Sequence, residues 1–142
     1  MIRKSKQTEL SSVMQIWLDG NIEAHPFIPS EYWQKHVENV RETMMASEIY
    51  VYENEEDHKV VGFIGLIDNF IGGLFVHTSY RSSGVGRELI QYIKLYKPYL
   101  MLHVYKKNKY GIDFYLNEGF KITKELMDSS TEEIEYEMIW EK

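Results

Sequence analysis

The segment YRSSGVGREL, residues 80–89, places the strongest constraint on how this chain can fold. It follows an apolar strand pattern, IGGLFVHT, and precedes a helical pattern whose apolar residues recur three or four positions apart. Gly84 and Gly86 therefore lie where a strand leads into a helix. The first N–H groups of a helix have no intrahelical partner, and glycine lets an anion approach them closely. The segment indicates either a phosphate site or glycines that permit close packing of the helix on the sheet.

Helical and strand patterns also alternate upstream of this segment. A short strand around Arg3 precedes two helices, the first starting near Thr8 and the second capped by Ser30. Two prolines in HPFIPS, residues 25–30, indicate a loop between these helices. Three strands follow, with the sequences EIYVYEN, VVGFIGLID and IGGLFVHT.

Downstream, the helix that begins at Gly84 is predicted to run to Lys97, because Pro98 ends it. A buried strand follows at residues 99–105, then a short helix within residues 110–120 that stops at Gly119, and then two closing strands, FKITKEL and EIEYEMIW. The predicted order of elements is βααβββαβαββ. This order indicates an α+β, or mixed α/β, fold in which helices cover one central sheet.

Composition restricts the partners and the location that we expect. A chain of 142 residues suits one domain, and we take residues 1–142 as that domain. The formal charge of −6 argues against a nucleic-acid or anionic-membrane partner, because both require a basic surface, and we expect no membrane partner. Cysteine is absent, which excludes disulfides, thiolate metal ligands and a cysteine nucleophile. The polar start of the sequence lacks the apolar core of a signal peptide, so we expect a cytoplasmic protein.

Two well-known phosphate-binding motifs do not fit the glycine segment. A P-loop needs Lys-Ser or Lys-Thr after its last glycine, whereas Arg87 stands at that position here. The dinucleotide fingerprint needs a third glycine, which would fall on Leu89, and a later acidic residue, which would fall on Val104. The pattern that is present is Arg-x-x-Gly-x-Gly, at residues 81–86.

A second segment further along the chain supports one interpretation of this pattern. LHVYKKNKYGIDFYLNEGF, residues 102–120, contains an apolar strand, an asparagine, a Phe-Tyr pair on a helix and a closing Gly-Phe. Together, the two segments resemble the GCN5-related N-acetyltransferases (GNAT). The N-terminal half, including IEAHPFIPSEYW, is most similar to small bacterial members of this family. The matching positions in the second segment are Asn108, Phe114, Tyr115, Gly119 and Phe120. The order of elements agrees over nearly the whole chain, and Gly111 is one departure, because the family usually has alanine there.

The resemblance implies a mixed, mostly antiparallel sheet flanked by about four helices. It also implies acetyl-coenzyme A (acetyl-CoA) as cosubstrate, without a metal. The fourth strand would be splayed from the fifth and offer backbone groups to the thioester, and the glycine segment would hold the pyrophosphate. The implied acetyl-CoA-binding residues are Leu74, Phe75, Val76, Arg81, Ser82, Ser83, Gly84, Val85, Gly86, Arg87, Asn108 and Tyr115. Asn108 would contact the pantetheine arm, but it also suits the N-cap of the helix that follows.

The same resemblance implies transfer of an acetyl group to a primary amine of a small molecule or protein, by direct attack on the thioester. Tyr115 matches the general acid that protonates the leaving thiolate, although its ring also suits the core. His25 lies in the loop between the first two helices, and the near-neutral pKa of histidine suits a general base. A loop histidine beside a proline is commonly structural, so His103, a carboxylate or water are alternatives for the base.

The sequence leaves the acceptor side open. Glu23 and Glu31 either bind a cationic acceptor or are solvated. Three aromatic side chains either line the acceptor pocket or face the core, namely Phe27, Tyr32 and Trp33. A non-catalytic acyl-CoA-binding sensor would have the same cosubstrate site, but Tyr115 favours an enzyme, because a sensor needs no general acid. Since dimers are common in the family, a homodimer is a further expectation.

Overall fold

The computed structural model describes residues 1–142 and contains seven strands and four α-helices. The strands are β1 (Ile2–Lys4), β2 (Glu48–Glu53), β3 (Val60–Ile67), β4 (Phe70–Val76), β5 (Tyr99–Tyr105), β6 (Lys121–Asp128) and β7 (Glu133–Glu141). The helices are α1 (Leu10–Ala24), α2 (Ser30–Met45), α3 (Val85–Lys94) and α4 (Lys109–Asn117). Their order confirms the predicted βααβββαβαββ. None of these helices has the combined length and apolarity that crossing a membrane requires.

All seven strands belong to one sheet, in the order β1-β2-β3-β4-β5-β7-β6. Every neighbouring pair is antiparallel except β4 and β5, which run parallel. These two strands pair only at Phe70 and Met101, with a further hydrogen bond from Met101 N to Asn69 O of 2.9 Å. Beyond this point they separate, and a gap opens in the middle of the sheet. The mixed, mostly antiparallel sheet with its four helices confirms the predicted fold class.

Two apolar cores lie on opposite faces of the sheet, because alternate residues of a strand point to opposite sides. On one face, α1 and α2 pack through Trp17 and Trp33, whose rings meet edge to face at 6.0 Å, and through Phe63 of β3. On the other face, α3 packs through Leu89 against Leu102 of β5. The loop between α1 and α2 and the start of α3 therefore belong to different faces of the sheet.

The helix ends differ in detail from the sequence predictions. α2 begins at Ser30 itself, with Pro29 in the extended N-cap position, and no side chain caps the helix. Thr8 lies in a 3₁₀ turn, Gln7–Glu9, that precedes α1, and Glu9 in this turn pairs with Arg3 at 2.7 Å. α3 is also shorter than predicted, because its last predicted residues form an irregular turn before the following proline.

Candidate active site

Gly84 is the residue at which the chain turns into α3. Its φ of +89° lies in the left-handed region, which glycine tolerates and other residues adopt only with strain. A Cβ atom on Gly84 would meet no heavy atom within 4 Å. A Cβ atom on Gly86 would contact Phe114 at 3.5 Å and Val76 at 3.7 Å, which are ordinary van der Waals distances. Close packing therefore requires neither glycine. The backbone conformation requires Gly84, and the space in front of it is open.

A cavity of about 760 Å³ lies in the gap between β4 and β5. It extends from the start of α3, through the separated strands, to the loop between α1 and α2, and so joins both faces of the sheet. The residues predicted to bind acetyl-CoA that line it are Leu74, Phe75, Val76, Arg81, Ser82, Gly84, Val85, Gly86, Arg87, Asn108 and Tyr115. Ser83 does not line the cavity, and its hydroxyl donates a hydrogen bond to the carbonyl of Tyr80.

The edge of β4 that faces this cavity carries backbone groups without a strand partner. Leu74, Phe75 and Val76 pair with β3 along one edge of the strand. Since β5 has separated from the other edge of β4, the N–H and C=O groups of β4 that point towards β5 have no hydrogen-bonding partner on that strand. Val76 O accepts only a long hydrogen bond from Arg81 Nε, at 3.5 Å. A ligand with hydrogen-bonding groups can satisfy this edge.

The two arginines of the glycine segment are held differently. Arg81 Nη1 lies 2.6 Å from Glu23 Oε1, and Thr78 Oγ1 donates to Glu23 Oε2 at 2.9 Å. This ion pair connects α1 to the loop before α3. Arg87 has 72% of its side chain exposed, and its Nε is 3.8 Å from Glu118 Oε2. Arg87 is therefore free to turn towards an anion at the start of α3, whereas Glu23 already positions Arg81.

Asn108 forms the N-cap of α4. Its Oδ1 accepts a hydrogen bond of 3.0 Å from Gly111 N, which satisfies one of the free N–H groups at the helix start. A Cβ atom on Gly111 would lie only 2.7 Å from Asn108 Nδ2. The glycine that replaces the more usual alanine thus leaves room for this cap. Because Asn108 also lines the cavity, the cap fixes its side chain at the cavity wall.

Tyr115 contributes an unpartnered phenol to the cavity wall. Its ring contacts Phe114 and Phe120 edge to face, with centroid distances of 5.2 and 5.4 Å. Burial raises the pKa of Tyr115 above its ordinary value, and no hydrogen bond within the protein opposes this shift. The phenol is therefore protonated at neutral pH and is available to a ligand as a donor.

His25 lies just after α1, at the other end of the cavity. Only 6% of the residue is exposed, and its ring stacks on Trp33 at 5.2 Å and meets Tyr105 edge to face at 5.1 Å. Its Nδ1 has no hydrogen-bonding partner. Burial lowers the pKa of His25 to about 4, whereas the sequence suggested a near-neutral value. His25 is therefore neutral at pH 7 and a weaker base than expected.

Side chains of β5 and β7 complete this end of the cavity, namely His103, Tyr105 and Glu135. His103 Nδ1 lies 3.5 Å from Glu135 Oε1, and Tyr105 donates a hydrogen bond of 2.5 Å to Asp128 Oδ2. Burial raises the pKa of Glu135 above its ordinary value. The cavity thus has the unpartnered phenol of Tyr115 on the side of α4, and a carboxylate, two histidines and the phenol of Tyr105 at the other end.

Comparisons with known proteins place this geometry in a family. A family model described as an acetyltransferase (GNAT) domain matches residues 46–122. The peptidyl-lysine N-acetyltransferase YiaC of Escherichia coli (strain K12) is 34% identical over 142 residues, which cover 99% of this chain and 96% of YiaC. The chain belongs to the GNAT family. It is thus an N-acetyltransferase that depends on acetyl-CoA.

Solved structures share the GNAT fold over the full length of the chain. The solution structure of apo-form YjaB from Escherichia coli has a TM-score of 0.85 and 27% identity, and covers 99% of this chain and 96% of its own. The PaiA N-acetyltransferase of Thermoplasma acidophilum, in complex with coenzyme A, has a TM-score of 0.83 and 19% identity, with coverages of 100% and 98%. The fold therefore extends beyond the residues that the family model matches.

The cavity of this GNAT enzyme fits acetyl-CoA. The open backbone at Gly84 and the free head of Arg87 suit the pyrophosphate, because both stand at the positive end of α3. The unpaired edge of β4 suits the amide groups of the pantetheine arm. Tyr115 lines the same cavity, where its phenol is available as a hydrogen-bond donor.

Tyr105 and Glu135 line the cavity, but the sequence did not single them out as site residues. For Glu135, the only sequence signal was the alternation of apolar residues with glutamates in the last strand. Their place depends on strand pairing, which sets Tyr105 opposite Glu135 and His103 opposite Glu137. Three residues considered for the acceptor side do not line the cavity, namely Glu31, Tyr32 and Trp33. Trp33 lies in the core instead.

Proposed function

We propose that this GNAT enzyme acetylates the side-chain amine of lysine residues in peptides or proteins. The observation that carries the proposal is the cavity that connects both faces of the sheet through the β4–β5 gap. Tyr115 and the groups that we propose to bind acetyl-CoA lie towards one face, and the other mouth is bordered by Glu135 and the loop after α1. The long side chain of lysine suits such an opening, because its amine enters while its backbone stays outside. YiaC is a peptidyl-lysine N-acetyltransferase, which supports lysine as the acceptor.

Acetyl-CoA supplies the acetyl group as a thioester, and the proposed chemistry is direct attack by the lysine nitrogen. Backbone donors near residues 74–76 would stabilise the negative charge that develops on the thioester oxygen. Tyr115 would donate its proton to sulfur as the carbon–sulfur bond breaks. A phenol is a weaker acid than a thiol by about 1.5 pKa units, so full transfer costs about 2 kcal/mol before burial adds to it. Proton donation therefore accompanies bond cleavage and does not precede it.

His25 is one candidate for the base that takes a proton from the lysine ammonium group. Its place on the cavity wall and its unpartnered Nδ1 support this role. Its pKa of about 4 opposes the role, because so weak a base takes a proton from an ammonium group of pKa ~10.4 only at a large energetic cost. The alternatives are His103, a carboxylate or water.

Thiol release from acetyl-CoA tests the proposal, with lysine peptides and small free amines as competing acceptors. We expect release that depends on the peptide, and addition of one acetyl group at lysine by mass spectrometry. Tyr115→Phe removes only the hydroxyl, so kcat should fall about 10²- to 10⁴-fold while acetyl-CoA still raises the melting temperature.

Three other outcomes would contradict parts of the proposal. A Tyr115→Phe variant with the wild-type rate would exclude Tyr115 as the acid. A preference for small amines over peptides would exclude peptidyl lysine as the main acceptor. Binding of acetyl-CoA without thiol release for any amine would indicate an acyl-CoA sensor.

We also propose one catalytic domain over residues 1–142, a cytoplasmic location, and no nucleic-acid or membrane partner. The single continuous sheet supports the domain, and the charge of −6 supports the absence of anionic partners. Light scattering distinguishes a monomer from the homodimer that the family resemblance suggests. Salt-sensitive binding of RNA would contradict the assignment of partners.

A further inference from the structure

Three glutamates of β7 lie on the same face of the sheet, because they occupy alternate positions of the strand. Two of them pair with lysines. Glu133 Oε1 is 3.1 Å from Lys107 Nζ, and Glu137 Oε2 is 3.7 Å from Lys124 Nζ. Glu135 lies between these two and has no lysine or arginine nitrogen within 4.0 Å. Of these three glutamates, Glu135 is therefore the one that forms no ion pair with a lysine or arginine.

Glu135 is also the glutamate of this row that lines the cavity. Only 17% of its side chain is exposed, and its one ionic neighbour is His103, whose Nδ1 lies 3.5 Å away. An anion that is largely removed from water and lacks a strong counter-charge is destabilised. An ammonium group that enters the cavity would relieve this cost, so Glu135 favours a cationic acceptor.

The alternation of β5 places Glu135 on the acceptor side of the sheet. Leu102 and Val104 of β5 face the core beneath α3, so His103 and Tyr105 face the opposite side. Since Glu135 pairs with Tyr105 on the neighbouring strand, it shares this side. Tyr115 lies on α4, beyond the other face. An amine can therefore lose a proton on one side of the gap while sulfur gains one on the other.

We propose that Glu135 binds the ammonium group of the acceptor lysine and accepts its proton, and that His103 passes this proton to solvent. The inference rests on the proposed lysine acetyltransferase function and specifies the base of that reaction. Glu135 would touch the reacting nitrogen, whereas His103 would act through Glu135.

The proton transfers balance in this scheme. One N–H bond of the ammonium group breaks as an O–H bond forms on Glu135, and the freed lone pair bonds to the thioester carbon. The carbon–sulfur bond breaks, and sulfur takes the phenolic proton of Tyr115. The nitrogen then loses a second proton, which returns to Tyr115 through water, while the first leaves through His103. The net products are one amide, one thiol and one proton in solvent.

The surrounding charges set the pH at which Glu135 works. Burial and the nearby carboxylate of Asp128 raise its pKa, whereas the positive charge of protonated His103 lowers it. The other titratable groups near it on β5 and β7 are Tyr105, Glu133 and Glu137. Burial and Asp128 raise the pKa of Tyr105, and lysines offset the two glutamates. As the pH is lowered, the rate of acetylation should therefore begin to fall at a higher pH than it would if the base were a glutamate of ordinary pKa.

Glu135→Gln tests this role because it keeps the shape of the side chain and removes its charge. With a lysine peptide, we expect kcat to fall by about 10²-fold or more, KM for the peptide to rise, and the acid limb of the kcat/KM profile to disappear. His103→Gln should move that limb to higher pH, because a charge that lowers the pKa of Glu135 is lost.

Glu133→Gln is the matched control, since it removes a carboxylate from the same face of the same strand, outside the cavity. It should keep the wild-type rate and pH profile, and both glutamine variants should keep the stabilisation by acetyl-CoA. If Glu135→Gln behaves like Glu133→Gln while the wild type acetylates lysine, the proposed function stands and Glu135 is not the base. If Glu135→Gln loses stabilisation by acetyl-CoA, its role is structural and the inference is overturned. If the wild type acetylates no lysine peptide, both proposals fail.

Discussion

Gly84→Ala tests whether the open backbone at the start of α3 binds acetyl-CoA. The added methyl group would meet no protein atom within 4 Å, so the folded variant suffers only the strain of a side chain at φ +89°. This strain costs about 1–2 kcal/mol, and the smaller entropy of the unfolded alanine chain offsets about 0.4–1 kcal/mol. We expect a loss of about 1 kcal/mol in the free energy of unfolding and a protein that still folds.

Gly119→Ala is the control for backbone strain. Gly119 has a nearly identical φ of +91°, and its Cβ would contact Trp140 at 3.4 Å. It does not line the cavity. The control should therefore lose similar stability without any change in the binding of acetyl-CoA.

Thermal unfolding with acetyl-CoA at 100 times the wild-type Kd separates the two variants. At this ratio, ligand binding stabilises the wild type by about 2.7 kcal/mol. If the methyl group at residue 84 weakens binding tenfold, the stabilisation falls to about 1.4 kcal/mol, whereas Gly119→Ala keeps the full value. Equal stabilisation of both variants would refute the assignment of the cosubstrate to the first turn of α3.

Two further predictions concern Gly111 and His25. Gly111→Ala should displace the Asn108 cap at a cost of about 1 kcal/mol, which the better helix propensity of alanine largely offsets in urea unfolding, and Asn108→Ala should then cost almost nothing more. In the unfolded chain, His25 binds a proton below pH ~6.5, whereas in the folded protein it binds this proton only below pH about 4. Wild-type stability should therefore fall by up to about 3 kcal/mol as pH drops through this window, and His25→Leu should lack that part of the slope. Equal slopes between pH 7 and 5 would contradict the buried, neutral state of His25.

Local patterns were sufficient for the order of the strands and helices and for the segment around Gly84. The strand predicted at residues 99–105 coincides with β5, because an apolar run of this length has few other solutions. A left-handed glycine before a helix is likewise encoded within a few residues. Predicting these elements required no knowledge of contacts between residues that are distant in the sequence.

The acceptor side depends on contacts that no local pattern specifies. β7 inserts between β5 and β6, so Glu135 comes beside His103 only after the sheet has assembled. The low pKa of His25 likewise arises from burial against Trp33 and Tyr105, which come from a different helix and a distant strand. The general preference of histidine for near-neutral titration was therefore a poor guide at this position.

The separation of β4 from β5 leaves each of these two strands with an unpaired edge in the interior of the sheet. An exposed strand edge invites other chains to add strands, and proteins commonly protect outer edges with charged residues, as Lys121 and Lys124 do on β6. The inner edges need no such protection, because they border the cavity within the sheet and not its outer rim. The enzyme can therefore keep a row of free backbone groups available to a ligand without the risk of aggregation that such a row carries at the surface.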